Sequence, residues 1–152
     1  MLQHTPDALR FMAMSTLLVA ALYQDAAHRR IPNTLVLAGA LTGAGLSLMP
    51  MGIGVLSSFA GGLVGLLGFA WLYTQRLLGA GDAKLMAAVG LFVGFPDILR
   101  LCLWVFMVGG LLALFWAWRS ALNPATWSPR VPYALAIAGG TWLHLLVGTR
   151  LF

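Results

Sequence analysis

Apolar runs occupy nearly the whole chain, and only short polar segments separate them. About 20 apolar residues in helical form are needed to cross the roughly 30 Å hydrocarbon layer of a bilayer. By this rule the pattern predicts six spanning helices, of which the fourth is short. Their expected limits are residues 6–23, 32–48, 51–73, 82–95, 97–118 and 132–152. The predicted fold class is therefore an all-α, polytopic transmembrane bundle, and residues 1–152 are expected to form one integral membrane domain.

A removable signal peptide is the alternative interpretation of the first segment, because Arg10 precedes the apolar run of residues 11–22. No cleavage site of small residues precedes Asp25, however, and further apolar spans follow. A retained first helix is therefore the favoured prediction.

Composition excludes a water-soluble globule. Hydrophobic residues make up 61% of the chain and charged residues 9%, and the mean hydropathy is +0.90, whereas soluble domains are about 45–50% apolar and about 25% charged. The net charge of +5 comes from dispersed basic residues, so no basic patch indicates a nucleic-acid partner. Glycine pairs at GxxxG spacing are typical of closely packed membrane helices; they are Gly39 with Gly43, Gly61 with Gly65, and Gly90 with Gly94.

Basic residues flank the predicted spans unequally, which predicts the orientation of the bundle. The connections after the first, third and fifth spans contain or adjoin Arg29, Arg30, Arg76, Lys84, Arg119 and Arg130. The opposite side holds Arg10, Arg100 and Arg150. Because cytoplasmic connections are enriched in Lys and Arg, the first group is expected in the cytoplasm and the N-terminus outside.

The four acidic residues are all Asp, and a carboxylate close to hydrocarbon is a candidate functional group. Asp7 and Asp97 fall at predicted helix starts, where the helix dipole stabilises negative charge. Asp25 follows the first span, at a helix end that disfavours an anion; an interfacial Asp paired with a neighbouring base is the alternative. Asp82 opens the fourth span, where a structural N-cap role is the alternative.

The predicted topology brings Asp25 and Asp82 to the same membrane edge and the same depth. Two carboxyls held close together share one proton near neutral pH, because repulsion and desolvation raise one pKa. One member can then activate a water while the other polarises a peptide carbonyl, which is the chemistry of aspartic proteases. Cys102 and His144 lie within the fifth and sixth spans, so neither forms a competing nucleophile–base pair. A single cysteine also excludes a cysteine-cluster metal site.

Two motifs contain these aspartates. One is GAGDAKL at residues 79–85, which resembles the GxGD signature of the type IV prepilin peptidases, a family of membrane aspartic proteases. The other is DAAHRRIPN at residues 25–33, which is similar to the family's second motif, an Asp followed by a basic stretch and Ile-Pro-Asn. The segment PYALA at residues 132–136 also resembles the opening of the family's last helix.

The resemblance implies an aspartic endopeptidase in which Asp25 and Asp82 form the catalytic pair, with no cofactor and no metal. Their separate roles as base and acid stay open, because coupled groups share a proton. The residues that the motifs add in support are Gly79, Gly81, Lys84, Pro32 and Asn33.

The resemblance also implies the substrate and the location. Prepilins or pseudopilins would lose their basic leader at the cytoplasmic face of the bacterial inner membrane, and the expected partners are these proteins and the lipid bilayer. Long family members contain a cysteine-tetrad zinc domain and can also methylate the new N-terminus. This chain has one cysteine and short connections, so it resembles the short peptidases that serve Flp-type, or tight-adherence, pili, and methyltransferase activity is not expected.

A non-enzymatic transporter or scaffold subunit of a secretion or pilus system is the alternative function. It explains the spans and the glycines equally well, but it gives no reason for two aspartates within these motifs. Substitution of Asp25 or Asp82 by Asn separates the two hypotheses, because it removes the titrating group and keeps the shape of the side chain.

Overall fold

The computed structural model describes residues 5–28, 30–49, 52–76, 78–122 and 133–148. Within these ranges the chain forms six α-helices and no strand, which confirms the predicted all-α bundle. The helices are α1 (Thr5–His28), α2 (Asn33–Ser47), α3 (Val55–Thr74), α4 (Ala80–Val93), α5 (Asp97–Leu122) and α6 (Tyr133–Gly148). The predicted sixth span also included residue 132 and residues 149–152, which lie outside the described residues.

Two helices are longer than the hydrophobic pattern predicts. Helix α1 continues past Tyr23 to His28, because the two alanines in this stretch are strong helix formers and a basic residue in the last turn suits the helix dipole. Asp25 therefore lies in the final turn of α1 rather than beyond it. Helix α5 likewise continues past Trp118 to Leu122.

Helices α2 and α3 begin later than predicted, because the residues before them have non-helical backbone. Pro32 is the N-cap of α2 in an extended conformation, with φ −64° and ψ 139°, and its carbonyl accepts from the N–H groups of Leu35 and Val36. Gly54 precedes α3 with φ 84°, in the left-handed region that favours glycine. Helix α3 therefore starts at Val55 instead of residue 51.

Helix α4 is the centre of the bundle, although it is the shortest of the six helices. It contacts all five others. Its fully buried side chains include Leu85, Met86 and Val89. A helix that is surrounded by others must be apolar all round, and α4 meets that condition from Leu85 onwards.

The closest packing in the bundle joins α3 and α4, which run antiparallel. A Cβ added at Gly61 would meet the carbonyl oxygen of Gly90 and lie 2.6 Å from the Cα of Gly94. One turn earlier on α3, the Ser58 hydroxyl donates to the Leu91 carbonyl at 2.6 Å, and the Ser57 hydroxyl donates to the Phe95 carbonyl at 2.7 Å. Small residues thus allow the two backbones to touch, as the GxxxG spacing predicts.

The remaining helices pack around this pair in alternating directions. Helix α2 runs parallel to α4, and α1 lies antiparallel to α2, with Leu17 over Gly39. Helices α5 and α6 form a second antiparallel pair, in which Gly140 lies against the backbone of Val105. Phe69 of α3 stacks on Phe106 of α5, with 5.6 Å between ring centroids. The alternation brings the ends of α1, α3 and α5 and the starts of α2, α4 and α6 to one end of the bundle.

Arg10 binds the C-terminal end of α4. The sequence interpretation treats it as a flanking charge, but it lies within α1 and is 8% exposed. Its guanidinium donates to the Phe92 carbonyl at 3.1 Å, in the last turn of α4, where backbone carbonyls lack helical partners. A cation at a helix C-terminus also interacts favourably with the dipole.

The outer surface of the bundle is apolar. Val55–Thr74 and Asp97–Arg119 are long and apolar enough to cross a membrane, and Tyr133–Val147 is a shorter apolar helix. Only 28% and 22% of the two long segments are buried inside the protein, whereas a core helix of a soluble protein would be mostly buried. Their outward side chains include Leu56, Leu63, Trp71, Leu103, Met107 and Leu114. This surface suits contact with lipid.

The α3–α4 contact predicts unequal effects of the same substitution at two glycines of α3. We expect Gly61→Ala to destabilise the bundle by about 1–3 kcal/mol, because overpacking forces the two backbones apart. Gly68 has no atom within 4 Å of an added Cβ, so Gly68→Ala should be neutral or stabilise by up to about 1 kcal/mol. Thermal unfolding in detergent measures both. Equal stability of the two variants would contradict the packing argument.

Candidate active site

Three helix ends meet at one end of the bundle and bring the two sequence motifs together. The last turn of α1 carries Asp25, the first residue of α2 is Asn33, and the first turn of α4 carries Asp82. We call this region, defined by Asp25, Pro32, Asn33, Gly79, Gly81, Asp82 and Lys84, the motif end. Every site residue that the sequence predicts lies in it.

Asp82 is the third residue of α4, so the interpretation of Asp82 as the N-cap is wrong. The N-cap is Gly79, whose backbone is extended, with φ −80° and ψ 152°. The Gly79 N–H donates to Oδ2 of Asp82 at 3.1 Å. A Cβ at Gly79 would lie 3.2 Å from that same oxygen. Glycine at position 79 therefore leaves room for the carboxylate, which accepts one of the unpaired N–H groups at the helix start.

The connection between α1 and α2 lies against the first turn of α4. A Cβ at Gly81 would lie 3.3 Å from the Cβ of Ile31, a residue that packs against the hydrophobic core. On the next turn, the Lys84 Nζ donates to Oδ1 of Asn33 at 2.9 Å. Pro32 links these two contacts by fixing the backbone between them in the extended form.

Burial is the main influence on the charge of Asp82. It raises the pKa of this carboxyl from an ordinary 3.8 to about 6, because desolvation disfavours the ionised form. The hydrogen bond from the Gly79 N–H acts in the opposite direction and lowers the pKa. The negative charge of Asp25 raises it further, so the two carboxyls are close enough to repel one another. Asp82 lies in the first turn of α4, outside the two long apolar segments Val55–Thr74 and Asp97–Arg119.

This arrangement can hold one proton between two half-buried carboxyls. Asp25 and Asp82 are both partly accessible, so a water molecule and a peptide can reach them. A carboxyl with a pKa of about 6 carries its proton at pH values where an ordinary Asp is ionised. Such a pair contains an acid and a base in the same pH range, which general acid–base catalysis requires.

The other candidate groups of the sequence lie elsewhere. Cys102 is half-buried within α5. His144 lies in α6, within electrostatic range of Asp97 and Arg100 at the opposite end of the bundle. Asp97 begins α5, as predicted, and forms an exposed ion pair with Arg100 at 3.1 Å. Among the described residues, no three His, Cys, Asp or Glu side chains gather in a group that could hold a metal ion.

Sequence reasoning missed two features of the motif end. One is the Lys84–Asn33 hydrogen bond, because spacing along the chain gives no sign of a pair that is 51 residues apart. The other is Tyr133, which packs edge-on against Phe69 with 6.4 Å between ring centroids and lies within electrostatic range of Asp82. Its position directly after the proline of the PYALA segment was the available signal.

Comparison with known proteins identifies the family. The family model for the type IV leader peptidase family matches residues 12–118. A prepilin leader peptidase/N-methyltransferase of Xanthomonas campestris pv. campestris is 34% identical over 151 aligned residues, which cover 92% of this chain and 50% of the relative. The chain thus spans about half the length of this curated relative. No solved structure matches this chain significantly. The matched region includes both aspartate motifs, and the chain belongs to the type IV leader peptidase family.

Proposed function

We propose that this protein is a membrane-embedded aspartic endopeptidase that removes the leader peptide from type IV prepilins or pseudopilins. The observation that carries the proposal is the electrostatic coupling of Asp25 and Asp82, which come from two motifs that are far apart in the sequence. A transporter or scaffold gives no reason for two coupled aspartates within these motifs. Membership of the leader peptidase family supports the same activity.

The proposed reaction is hydrolysis of one peptide bond. The ionised carboxylate removes a proton from a water molecule, and the water oxygen attacks the carbonyl carbon of the leader junction. The protonated carboxyl donates its proton to the carbonyl oxygen, which gives a tetrahedral diol. When the C–N bond breaks, its electron pair goes to the nitrogen, which takes a proton from the carboxyl that activated the water. One diol hydroxyl returns its proton to the other carboxylate as the C=O bond re-forms, and the products are a carboxylic acid and an amine. Each carboxyl returns to its starting state.

The distribution of basic residues supports a position at the cytoplasmic face. Of the residues described, Arg30, Arg76, Lys84 and Arg119 lie at the motif end, whereas Arg10 and Arg100 lie at the other. Arg29, Arg130 and Arg150 lie outside the described residues. By the positive-inside rule, the motif end faces the cytoplasm of a multi-pass protein in the inner membrane.

Short connections support substrates of the Flp, or tight-adherence, type. Residues 29–32 join α1 to α2, and residues 75–79 join α3 to α4. Neither connection has room for an inserted metal-binding domain. The proposal covers hydrolysis at the leader junction and does not extend to methylation of the product.

Cleavage of a purified Flp-type prepilin in detergent or liposomes tests the reaction. We expect Asp25→Asn and Asp82→Asn each to lower kcat/KM at least about a hundredfold, because each removes one of the two proton-transfer groups. Asp97→Asn is the matched control at the other end of the bundle and should retain wild-type activity. If both motif variants cut as fast as the wild type, the aspartate pair is not the catalytic group. If the wild type cuts no prepilin of a broad panel, the scaffold alternative is favoured.

The pH dependence of kcat/KM should have a descending limb at about pH 6. The pair needs one proton, and Asp82, whose pKa is raised to about 6, loses it as the pH rises through that value. Activity therefore decreases on the alkaline side of this value. Initial rates at low substrate concentration measure this limb. A flat profile between pH 5 and pH 8 would contradict a proton held by Asp82.

The folded state should become less stable as the pH rises, because the folded protein keeps the ionised Asp82 carboxylate partly out of water. Because its folded pKa is raised, its contribution to stability is fully present below pH 3.8 and is lost as the pH rises to about 6. Asp82→Asn removes the charge, so we expect it to unfold a few degrees higher than the wild type at pH 8. At pH 4 the two should nearly coincide. A lower Tm of the variant at pH 8 would contradict this, and the same measurement verifies that the inactive variant is folded.

A further inference from the structure

The Lys84–Asn33 hydrogen bond has no role in the reaction described above. Lys84 is the only lysine of the chain, and its ammonium lies 2.9 Å from the Asn33 amide oxygen in an exposed position. Exposed charge-assisted contacts contribute little to stability, because water competes for both groups. Stabilisation of the fold is therefore a poor explanation for it.

The two partners of this bond lie next to the two aspartates. Lys84 follows Asp82 by two positions on α4, and Asn33 is the first residue of α2, after the connection that leaves the helix of Asp25. Helix α4 is rigid, so the position of Lys84 relative to Asp82 is fixed. The described residues of the connection, 30–32, form no regular structure. A bond from Lys84 to Asn33 therefore restrains the more adjustable of the two motifs.

A second contact acts on the same connection. Ile31 lies against Gly81, where an added Cβ would come within 3.3 Å of the Ile31 Cβ. This apolar contact and the hydrogen bond hold positions 31 and 33 on successive turns of α4, and Pro32 makes the link between them stiff. Together they form a two-point attachment, which we call the α2–α4 clamp and define by Ile31, Asn33, Gly81 and Lys84.

Lys84 does not act on Asp82 as a direct charge partner. Residues at i and i+2 of a helix point to different sides, and the Lys84 ammonium is turned towards Asn33. The charge that acts on Asp82 comes from another helix, from Asp25 of α1. Helix α2 carries no charged residue.

We propose that Lys84 and Asn33 are positioning residues of the peptidase. Through the α2–α4 clamp they fix the connection after α1 on the first turn of α4, and so set the separation of the Asp25 and Asp82 carboxyls. This inference rests on the proposed aspartate pair. Two carboxyls that share a proton and a water tolerate little displacement, and a shift of about 1 Å in such a site can lower the rate about a hundredfold.

A double-mutant cycle on prepilin cleavage tests the clamp. Asn33→Ala removes the acceptor and Lys84→Met removes the donor, and each should lower kcat tenfold or more while KM stays within about twofold. The kcat of the double variant should be no lower than that of the less active single variant, because both substitutions remove the same bond. Lys84→Arg keeps a donor and should recover most of the activity. Thr34→Ala and Arg100→Met are the matched controls, and both should have wild-type kcat.

The pH profile separates positioning from a merely structural role. Asn33→Ala changes no formal charge, so a shift of the descending limb reports a change in the surroundings of Asp82 that a loss of stability alone would not cause. If the clamp holds Asp25 and Asp82 together, its loss weakens their repulsion, and the limb moves to lower pH. Lys84→Met is not used for this readout, because it also removes a cation.

Three outcomes would overturn the clamp. The first is a wild-type kcat in both single variants, and the second is a double variant in which the two decreases in kcat multiply. The third is a decrease in kcat that parallels a decrease in Tm while the descending limb of the pH profile does not shift. Asp25→Asn and Asp82→Asn are assayed in parallel. If they stay active, the aspartate pair itself is wrong, whatever the clamp variants do. If they are inactive and the clamp variants cut normally, only the clamp is wrong.

Discussion

The close approach of α3 and α4 is the constraint on which the rest of the structure depends. Where Gly61 and Gly90 meet, any side chain would separate the two backbones. This contact allows a helix as short as α4 to lie at the centre of the bundle and touch all five others. In a membrane, where lipid is as apolar as the core, such fitted contacts replace the hydrophobic effect as the cause of association. Arg10 and the two serines then fix the far end of α4.

Fixing α4 also fixes the chemistry, because Asp82 lies in its first turn. A carboxylate at this position is held by the Gly79 N–H and is partly removed from water by the surrounding helices. These two effects oppose each other, and burial is the larger. The group that destabilises the fold when ionised is thus the group proposed to carry the proton in catalysis. This is the usual relation between stability and function at an active site.

Much of the fold follows from the sequence because a bilayer imposes a simple rule. Apolar runs of about 20 residues must be helical, since lipid offers no partner to the backbone. Six helices and their order follow from that rule alone. Their limits are less determined: α1 runs on to His28 because alanines extend it, and Gly54 delays α3 through its positive φ. Such local preferences are weaker than hydrophobicity and are not visible in the length of an apolar run.

The sequence by itself determined the residue types of the candidate site, the two motifs and, through the alternation of spans, the end of the bundle at which they meet. It also determined the family, because the motifs and their order are properties of the chain. Only the tertiary structure decided that Gly79, not Asp82, caps α4, and that Ile31 and Asn33 lie on its first turns beside Gly81 and Lys84. It alone decided the raised pKa of Asp82. Desolvation and contacts between distant segments depend on how the helices pack side by side. The pattern of apolar and polar residues along the chain carries no information on the distances between packed helices.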